Sequence, residues 1–288
     1  MFETRDDLIT GITTFLGEPA APWGQDGHVQ SDGELARTAA LAGATVALKY
    51  FAELAGLPRE LKADGSVVTE ADRATEAAIR AVLAEARPHD AVLGEEGGET
   101  GAGARRWIID PIDGTAQFVA GDDRWLVLVA LEEAGEVVAA VAAVPAQDRV
   151  WWARRGGGAY ETNLDGTADK RIHVTDRRTP LSAARLGVVP VAPNVYPSDL
   201  AVAAPLTAVT PAVEWDVHAG LLVADGTLDL AVQTRGEVWD FAATSLIVTE
   251  AGGCYGGVDG IRGPRAGVSL YAANRSLWQA AAEVLWPA

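Results

Sequence analysis

The sequence predicts a layered mixture of helices and largely antiparallel strands, α+β in the first half and α/β in the second. Three patterns carry that prediction. Two capped helical segments lie early in the chain, strand-like apolar runs follow one another from Trp125 to Tyr160, and strands alternate with helices thereafter.

Residues 1–30 form a lead-in, and the stretch from Glu18 to Gly33 is rich in Pro, Gly and Asp. Ser31, followed by Glu34, has the reciprocal spacing of a helix N-terminus and predicts a helix to about Leu54. Thr69 and Asp72 repeat that spacing for a second helix, which runs to Arg87 and is stopped by Pro88. Ala91-Val92-Leu93 is a short strand ending in Gly94-Glu95-Glu96, and Gly97 to Ala104 reads as a mobile loop. Trp107-Ile108-Ile109 is a buried strand that Asp110-Pro111 is expected to close, since proline offers no N–H to a ladder. Gly135, Pro145 to Asp148 and Arg154 to Gly158 mark the turns of the strand series. The polar segment Asn163 to Lys170 is the expected join, dividing one compact unit into halves 31–164 and 165–288. In the second half a helix is expected over Asp216 to Ala224, a strand over Leu228 to Val232 and a helix over Asp240 to Ala251.

The 288-residue chain is 49% hydrophobic, enough for one large domain or two intimately packed halves. Forty acidic against 23 basic residues give a formal charge of −17. Such a surface repels nucleic acid and anionic lipid, so neither is an expected partner. It also repels an anionic substrate unless bound cations reverse the sign locally. The single cysteine, Cys254, excludes an intrachain disulfide and a cysteine zinc cluster, and the four histidines are scattered. Met1 to Pro19 mixes acidic with apolar residues, unlike a signal peptide, and the apolar run Val137 to Val144 is too short to cross a bilayer. A soluble cytoplasmic protein is expected.

The chemistry is concentrated in Asp110-Pro111-Ile112-Asp113-Gly114-Thr115. A buried strand delivers two carboxylates to a tight turn, where a helix start would add free backbone N–H groups and a hydroxyl. Carboxylates bind a hard cation, and the N–H groups suit a phosphate bridging to it. Gly94-Glu95-Glu96 is either a second acidic contribution or an ordinary acidic loop. Asp240, after Trp239, and Asp72 each have the plainer reading of a helix-capping carboxylate.

Taken in order, Lys62, Val68-Thr69-Glu70-Ala71-Asp72, Gly94-Glu95-Glu96, the Asp110–Thr115 hexapeptide and Trp239-Asp240 resemble the inositol monophosphatase family. Arg155-Gly156-Gly157-Gly158-Ala159-Tyr160 and Val248-Thr249-Glu250-Ala251-Gly252-Gly253 agree with it. The resemblance covers roughly Glu34 to the C-terminus and is greatest to the bacterial histidinol-phosphatase branch. It implies a layered αβαβα sandwich, two or three Mg²⁺ ions, with Mn²⁺ as the alternative, and a homodimer. Carried over residue by residue, it assigns Glu95, Asp110 and the Ile112 carbonyl to a first ion. Asp110, Asp113 and Asp240 go to a second, and Glu95 helps a weaker third. The same resemblance has Thr115 paired with Asp72 to orient and deprotonate water, the Gly114 and Thr115 backbone holding phosphate, and Lys62 adding positive charge. Glu96 then lies behind these ligands.

The implied activity is hydrolysis of a small phosphorylated metabolite, an inositol, sugar, nucleoside or histidinol phosphate. It proceeds by in-line attack of a metal-activated water, without a phosphoenzyme. Phosphate monoesters need up to ~10²¹-fold acceleration, approaching roughly 29 kcal/mol. Hydrogen bonds of roughly 1.5–3 kcal/mol each fall short of that, and bound cations fill the gap. The Asp-x-Asp-Gly-Thr motif of haloacid-dehalogenase-type phosphatases does not fit, because Pro111 and Ile112 separate the aspartates by two residues and proline follows the would-be nucleophile.

Departures from the family pattern gather where substrate would be selected. Pro211 to Asp216 lacks the arginine and glycine usual before this helix. Asp216 matches an aspartate of the histidinol-phosphatase branch and either binds a substrate amine or hydroxyl or caps the helix. Trp215 is a substrate wall, whereas Trp107, Trp151 and Trp152 fit strand packing and His218 fits packing better than catalysis. Gln233, where many relatives carry a substrate-binding glutamate, is either an ordinary strand residue or a substrate contact whose neutral amide holds an ammonium less strongly and favours a neutral polyol, sugar or nucleoside ester. After Thr115, Ala116-Gln117-Phe118 replaces the more usual pair of polar residues before phenylalanine; Phe118 is expected to pack inward, and Cys254 to be a small buried residue. A catalytically idle relative that binds metal or metabolite is the alternative function.

Overall fold

The computed structural model describes residues 30–54, 59–61, 67–261 and 263–287. Helix α1 (Asp32–Ala52) starts at Ser31, whose side chain accepts from the Glu34 N–H while the Glu34 carboxylate accepts from the Ser31 N–H. A two-stranded ribbon, β1 (Arg59–Leu61) and β2 (Val67–Thr69), leads into α2 (Glu70–Ala86), capped in the same manner by Thr69 and Asp72. These local signals, each satisfying N–H groups that the helix itself leaves free, made both helices predictable.

The main sheet contains β3 (Ala91–Gly94), β4 (Gly98–Thr100), β5 (Arg105–Asp113), β6 (Leu126–Glu133), β7 (Glu136–Val144), β8 (Arg149–Arg154), β9 (Gly158–Thr162) and β10 (Lys170–Ile172), in the order β10-β9-β8-β7-β6-β5-β3-β4. All its pairings are antiparallel except β3 with β5. Past the polar segment at 163–169, β10 still pairs with β9 before the chain crosses to the second sheet. That sheet has the order β11 (Leu186–Val189), β12 (Leu230–Gln233), β14 (Ser269–Ala272), β13 (Cys254–Gly257), with only β11 and β12 parallel. Helices α3 (Thr115–Ala120), α4 (Pro197–Val209), α5 (Ala219–Ala224), α6 (Val238–Glu250) and α7 (Arg275–Leu285) complete the described chain.

Three apolar clusters hold these elements in five layers. Trp107, Ile109, Val127 and Val129 pack with Leu35, Phe51, Ile79 and Leu83 of α1 and α2. The alternate residues Ile108, Leu126 and Leu128 face the other way, onto Leu221, Phe241 and Ile247 of α5 and α6, where Ala231 and Tyr271 of the second sheet join them. The second sheet's outer face, with Leu230, Val232 and Leu270, packs on Leu206 of α4 and Leu277 and Trp278 of α7. The expected αβαβα sandwich is thus formed. The main strands read as continuous apolar runs because both faces are covered.

Four local expectations are corrected. Gly97 to Ala104 is not simply a loop: 98–100 forms edge strand β4, because the Glu76 carboxylate accepts from the Glu96 and Gly97 N–H groups at 2.8 and 2.9 Å and draws the chain back beside β3. Pro111 does not end its strand: β5 bulges there, and pairing resumes between Asp113 and Leu126. Asp216 does not start a helix: α5 begins at Ala219, and the His218 side chain caps it by accepting from Gly220 N–H. Cys254 is half-buried rather than fully so. Phe118 packs inward as expected, its ring 4.9 Å from Trp125 and 5.3 Å from Phe51. Trp107 and Trp151 are buried strand residues, and Trp152 stacks on Tyr160.

Glu250, in the last turn of α6, accepts from the N–H groups of Gly156 and Gly158 at 2.8 and 2.9 Å, fastening the β8–β9 turn to the middle layer. Replacing Glu250 with alanine leaves both donors without this partner. A loss of about 1–2 kcal/mol is expected, read as a lower urea midpoint with unchanged slope.

Candidate active site

Parallel pairing of β3 with β5 sets Gly94, the last residue of β3, opposite Ile109, immediately before Asp110. Glu95 follows directly, its N–H bonded to the Ile109 carbonyl at 3.2 Å, and Asp110 is its neighbour across the pair. A Cβ at Gly94 would lie 2.3 Å from Glu76 Oε1, so a side chain there would displace the carboxylate that holds the Glu96 and Gly97 N–H groups. The bulge at Pro111 then turns Asp113 towards Asp110. Asp240 arrives from the first turn of α6, so residues far apart in sequence meet: carboxylate oxygens of Asp110, Asp113 and Asp240 lie within 4.8 Å of one another. Glu95 lines the same cavity.

Gly114, at φ 87°, makes the left-handed step that starts α3, and an added Cβ would press on the Arg124 carbonyl at 3.3 Å. The Thr115 hydroxyl reaches Asp72 Oδ1 at 3.0 Å and the Ile112 carbonyl at 3.1 Å. Asp72 uses its other oxygen to cap α2, accepting from the Thr69 N–H at 2.8 Å. Capping and contact with Thr115 are both true of this one carboxylate. Asp240 divides its work similarly, accepting from the Glu237 N–H at the start of α6.

A cavity of about 950 Å³ is lined by Glu95, Asp110, Asp113, Thr115 and Asp240 together with Ile112, Gly114, Trp215 and Gln233, and Asp72 is buried behind Thr115 outside that lining. Trp215 donates from Nε1 to the Val188 carbonyl at 3.0 Å, and the Arg124 guanidinium lies 5.5 Å from its ring centre. Asp216 stands apart: it is exposed, does not line the cavity, and its backbone carbonyl accepts from Gln147 Nε2 at 2.6 Å. Lys62 lies outside the described residues.

Four further residues line the cavity or support it without having been singled out for this from sequence. Arg124 is held by Asp122 at 2.9 Å and Arg235 by Asp199 at 3.0 Å, and both guanidinium groups line the cavity, as does His218. Glu76, buried at 2% exposure, holds the loop that carries Glu95 and Glu96. The available signal for Glu76 was its place one turn after Asp72 on the apolar face shared with Ile79 and Leu83.

The sequence model of the Inositol monophosphatase family matches residues 29–287. The chain belongs to the inositol monophosphatase family. Among similar proteins, the histidinol-phosphatase of Streptomyces coelicolor is 40% identical over 218 residues, covering 72% of this chain and 80% of its own. A Streptomyces griseus protein named glucose-1-phosphate thymidylyltransferase is also 40% identical, over 242 residues, 81% of this chain and 87% of its own. The extragenic suppressor protein suhB of Bartonella henselae superposes with a TM-score of 0.74 at 28% identity, over 87% of this chain and 96% of its own. Phosphoric monoester hydrolysis is the enzyme class that the family and the histidinol-phosphatase relative indicate. No helix among the described residues is long and apolar enough to cross a membrane.

In this member of the inositol monophosphatase family the acidic cluster is electrostatically incomplete by itself. Burial, then Glu95, Asp113 and Asp240, push the Asp110 carboxyl well above its ordinary value of 3.8. Burial, Asp240 and Glu95 do the same to Asp113, and burial raises Asp240. Asp110 Oδ1 is buried without a hydrogen-bond partner. An oxygen-only donor set with an orphaned buried oxygen fits a hard divalent cation such as Mg²⁺ or Mn²⁺, and contains no imidazole or thiolate to favour zinc.

Raised carboxyl values mean that the metal-free fold holds protons more tightly than the unfolded chain. This stabilisation is complete below pH 3.8 and is lost as pH climbs through the raised values. A cation at a hundred times its dissociation constant adds about 2.7 kcal/mol, roughly 5–10 °C in Tm for a domain of this size. Mg²⁺ is therefore expected to raise the Tm, by more at pH 8 than at pH 5.5, and Asp110→Asn to remove most of the increment. Scanning calorimetry at both pH values checks this; an increment independent of pH and of Asp110 contradicts the assignment.

Proposed function

We propose that the chain is a Mg²⁺-dependent phosphomonoesterase that hydrolyses a small phosphorylated metabolite by in-line attack of water. The observation that carries this reading is the meeting of Asp110, Asp113 and Asp240 in one cavity with Glu95 and Thr115, whose hydroxyl bonds the buried Asp72 behind it. When bound, the cations supply charge neutralisation for the phosphoryl oxygens and leaving alkoxide and acidify water. Glu95, Asp110, Asp113, Asp240 and the Ile112 carbonyl are the residues that would hold them.

The protein's own groups do the rest. Thr115 Oγ1, fixed by Asp72 and by the Ile112 carbonyl, orients the attacking water. Asp72 is the base in contact with that hydroxyl, and burial raises its carboxyl above 3.8 despite the bonds from Thr69 and Thr115. A base with a raised value accepts a proton more readily at neutral pH. The backbone N–H groups at the start of α3, after Gly114, would take a phosphate oxygen, and Lys62 would add a supporting charge by family resemblance. Trp215 and Gln233 line the cavity for the alcohol half of the ester. Asp216 is exposed outside the cavity lining and is not among these contacts. A cytoplasmic homodimer accompanies this reading, and sedimentation velocity tests its oligomeric part.

Phosphate release with Mg²⁺ from a panel of inositol, sugar, nucleoside and histidinol phosphates tests the activity. Turnover of at least one ester is expected, and lithium is expected to inhibit it. Asp110→Asn should abolish turnover, and Thr115→Ala should lower kcat by about 10²–10⁴-fold, with the fold retained by circular dichroism. Failure to hydrolyse any ester under Mg²⁺ or Mn²⁺ would favour the metabolite-binding alternative. A mixture of thymidine triphosphate and glucose 1-phosphate examines the activity in the Streptomyces griseus relative's name.

A further inference from the structure

Of the four side-chain carboxylates proposed to hold cations, Glu95 is the one outside a strand or helix. Asp110 and Asp113 lie in β5 and Asp240 in the first turn of α6, whereas Glu95 stands in the turn at 95–97 between β3 and β4. A carboxylate on a turn reaches a fixed point only if the peptide groups on both sides of its Cα are held. The Glu95 N–H bonds the Ile109 carbonyl at 3.2 Å, which fixes the peptide before that Cα. Glu76 fixes the peptide after it: the Glu96 N–H donates to Glu76 Oε2 at 2.8 Å, and the Gly97 N–H donates to Oε1 at 2.9 Å.

This clasp is built behind the cavity wall. Glu76 is buried on the face of α2 that also carries Asp72 and Ile79, and neither it nor Arg80 is among the cavity-lining residues. Arg80, one turn later, donates from Nε to Glu76 Oε1 at 2.6 Å. The same guanidinium crosses to β4, giving Nη2 to the Gly98 carbonyl at 2.6 Å and Nη1 to Thr100 Oγ1 at 2.9 Å. Gly97 brings the turn down onto the carboxylate, since a Cβ there would lie 2.7 Å from Oε1. Burying a carboxylate is costly unless it is paired and hydrogen-bonded, and every partner of Glu76 serves the segment that follows Glu95. One helix thereby supports two sides of the centre. Asp72 meets the Thr115 hydroxyl, and Glu76 holds the turn of Glu95.

We propose that Glu76, braced by Arg80, is a positioning residue that keeps Glu95 in the geometry of a cation ligand and so sets the affinity of the acidic cluster for Mg²⁺. This rests on the metal-dependent reading of the site and adds to it a residue outside the cavity. Groups that orient metal ligands from behind typically change affinity by about 10–100-fold when removed. A role confined to the fold would lower stability and leave the affinity of the folded protein unaltered.

Titration of the metal-stripped protein reads this without turnover, with Mg²⁺ followed by calorimetry and Mn²⁺ by electron paramagnetic resonance. Glu76→Ala is expected to weaken the tightest site about 10–100-fold, and Glu76→Gln, which keeps one acceptor oxygen, to weaken it less. Because Glu76 acts through Glu95, the two losses should not add: in a Glu95→Ala background, Glu76→Ala weakens binding no further. Wild-type affinity in E76A, or full additivity with E95A, overturns the proposal. Should both Glu76 variants fail to fold, amide hydrogen exchange of the wild type decides instead. Coupling is reciprocal, so a clasp that tightens cation binding is itself tightened by the cation. The Glu96 and Gly97 amides are then expected to exchange about tenfold more slowly at saturating Mg²⁺, and unchanged exchange overturns the proposal. A wild type that binds neither Mg²⁺ nor Mn²⁺ removes the metal-dependent reading and the proposal with it. A metal-binding wild type whose E76A variant binds equally well sinks the proposal alone.

Discussion

Like-charged carboxylates crowded into one partly water-excluded pocket are the constraint on which the rest of the molecule depends. Asp110, Asp113 and Asp240 repel one another, and Glu95 adds to the repulsion. Nothing in a hydrophobic core requires such an arrangement, and burial alone opposes it. It persists because each acidic residue is held by structure on its other side. Glu95 is tied through its backbone to Ile109, Asp240 to the opening turn of α6, and the loop behind Glu95 to Glu76. The scaffold supplies the position, and a divalent cation is the natural counter-charge.

The topology provides this at one place only within the main sheet. Its described pairings are antiparallel save β3 with β5, and that pair sets the end of β3, with Glu95 after it, beside Asp110 within β5. The bulge in β5 adds a third acid from the same strand, and the start of α6 a fourth from the middle layer. Thr115 opens a helix only six residues long, anchored through Phe118 on Phe51 and Trp125, and its hydroxyl ties Asp72 of α2 to this region.

Features governed by neighbours in sequence were legible before any coordinates. The caps of α1 and α2, the turns at Gly135 and Pro145, and the order of the acidic motifs belong here. Features set by contacts across the fold were not. Strand β4 exists because Glu76, some twenty residues earlier, captures two N–H groups, and no local pattern in Gly97 to Ala104 encodes that. Proline was read as a terminator, yet a bulge lets the ladder resume beyond it. Asp216 has the sequence context of a cap or a ligand, but His218 caps α5 and Asp216 is exposed outside the cavity lining. Arg124 and Arg235 reach the cavity only through pairings with Asp122 and Asp199, the second spanning 36 positions. The acids of the centre were thus easier to find than the groups that surround the substrate.

Helix α6 spans 13 residues and is committed at both ends: Asp240 faces the acidic pocket, and Glu250 grips the β8–β9 turn. A single inserted or deleted residue between them would rotate one end against the other by about 100°. The helix therefore behaves as a spacer of fixed phase, its length as constrained as its composition, and drift in that length would uncouple the hairpin from the pocket without altering any side chain in either.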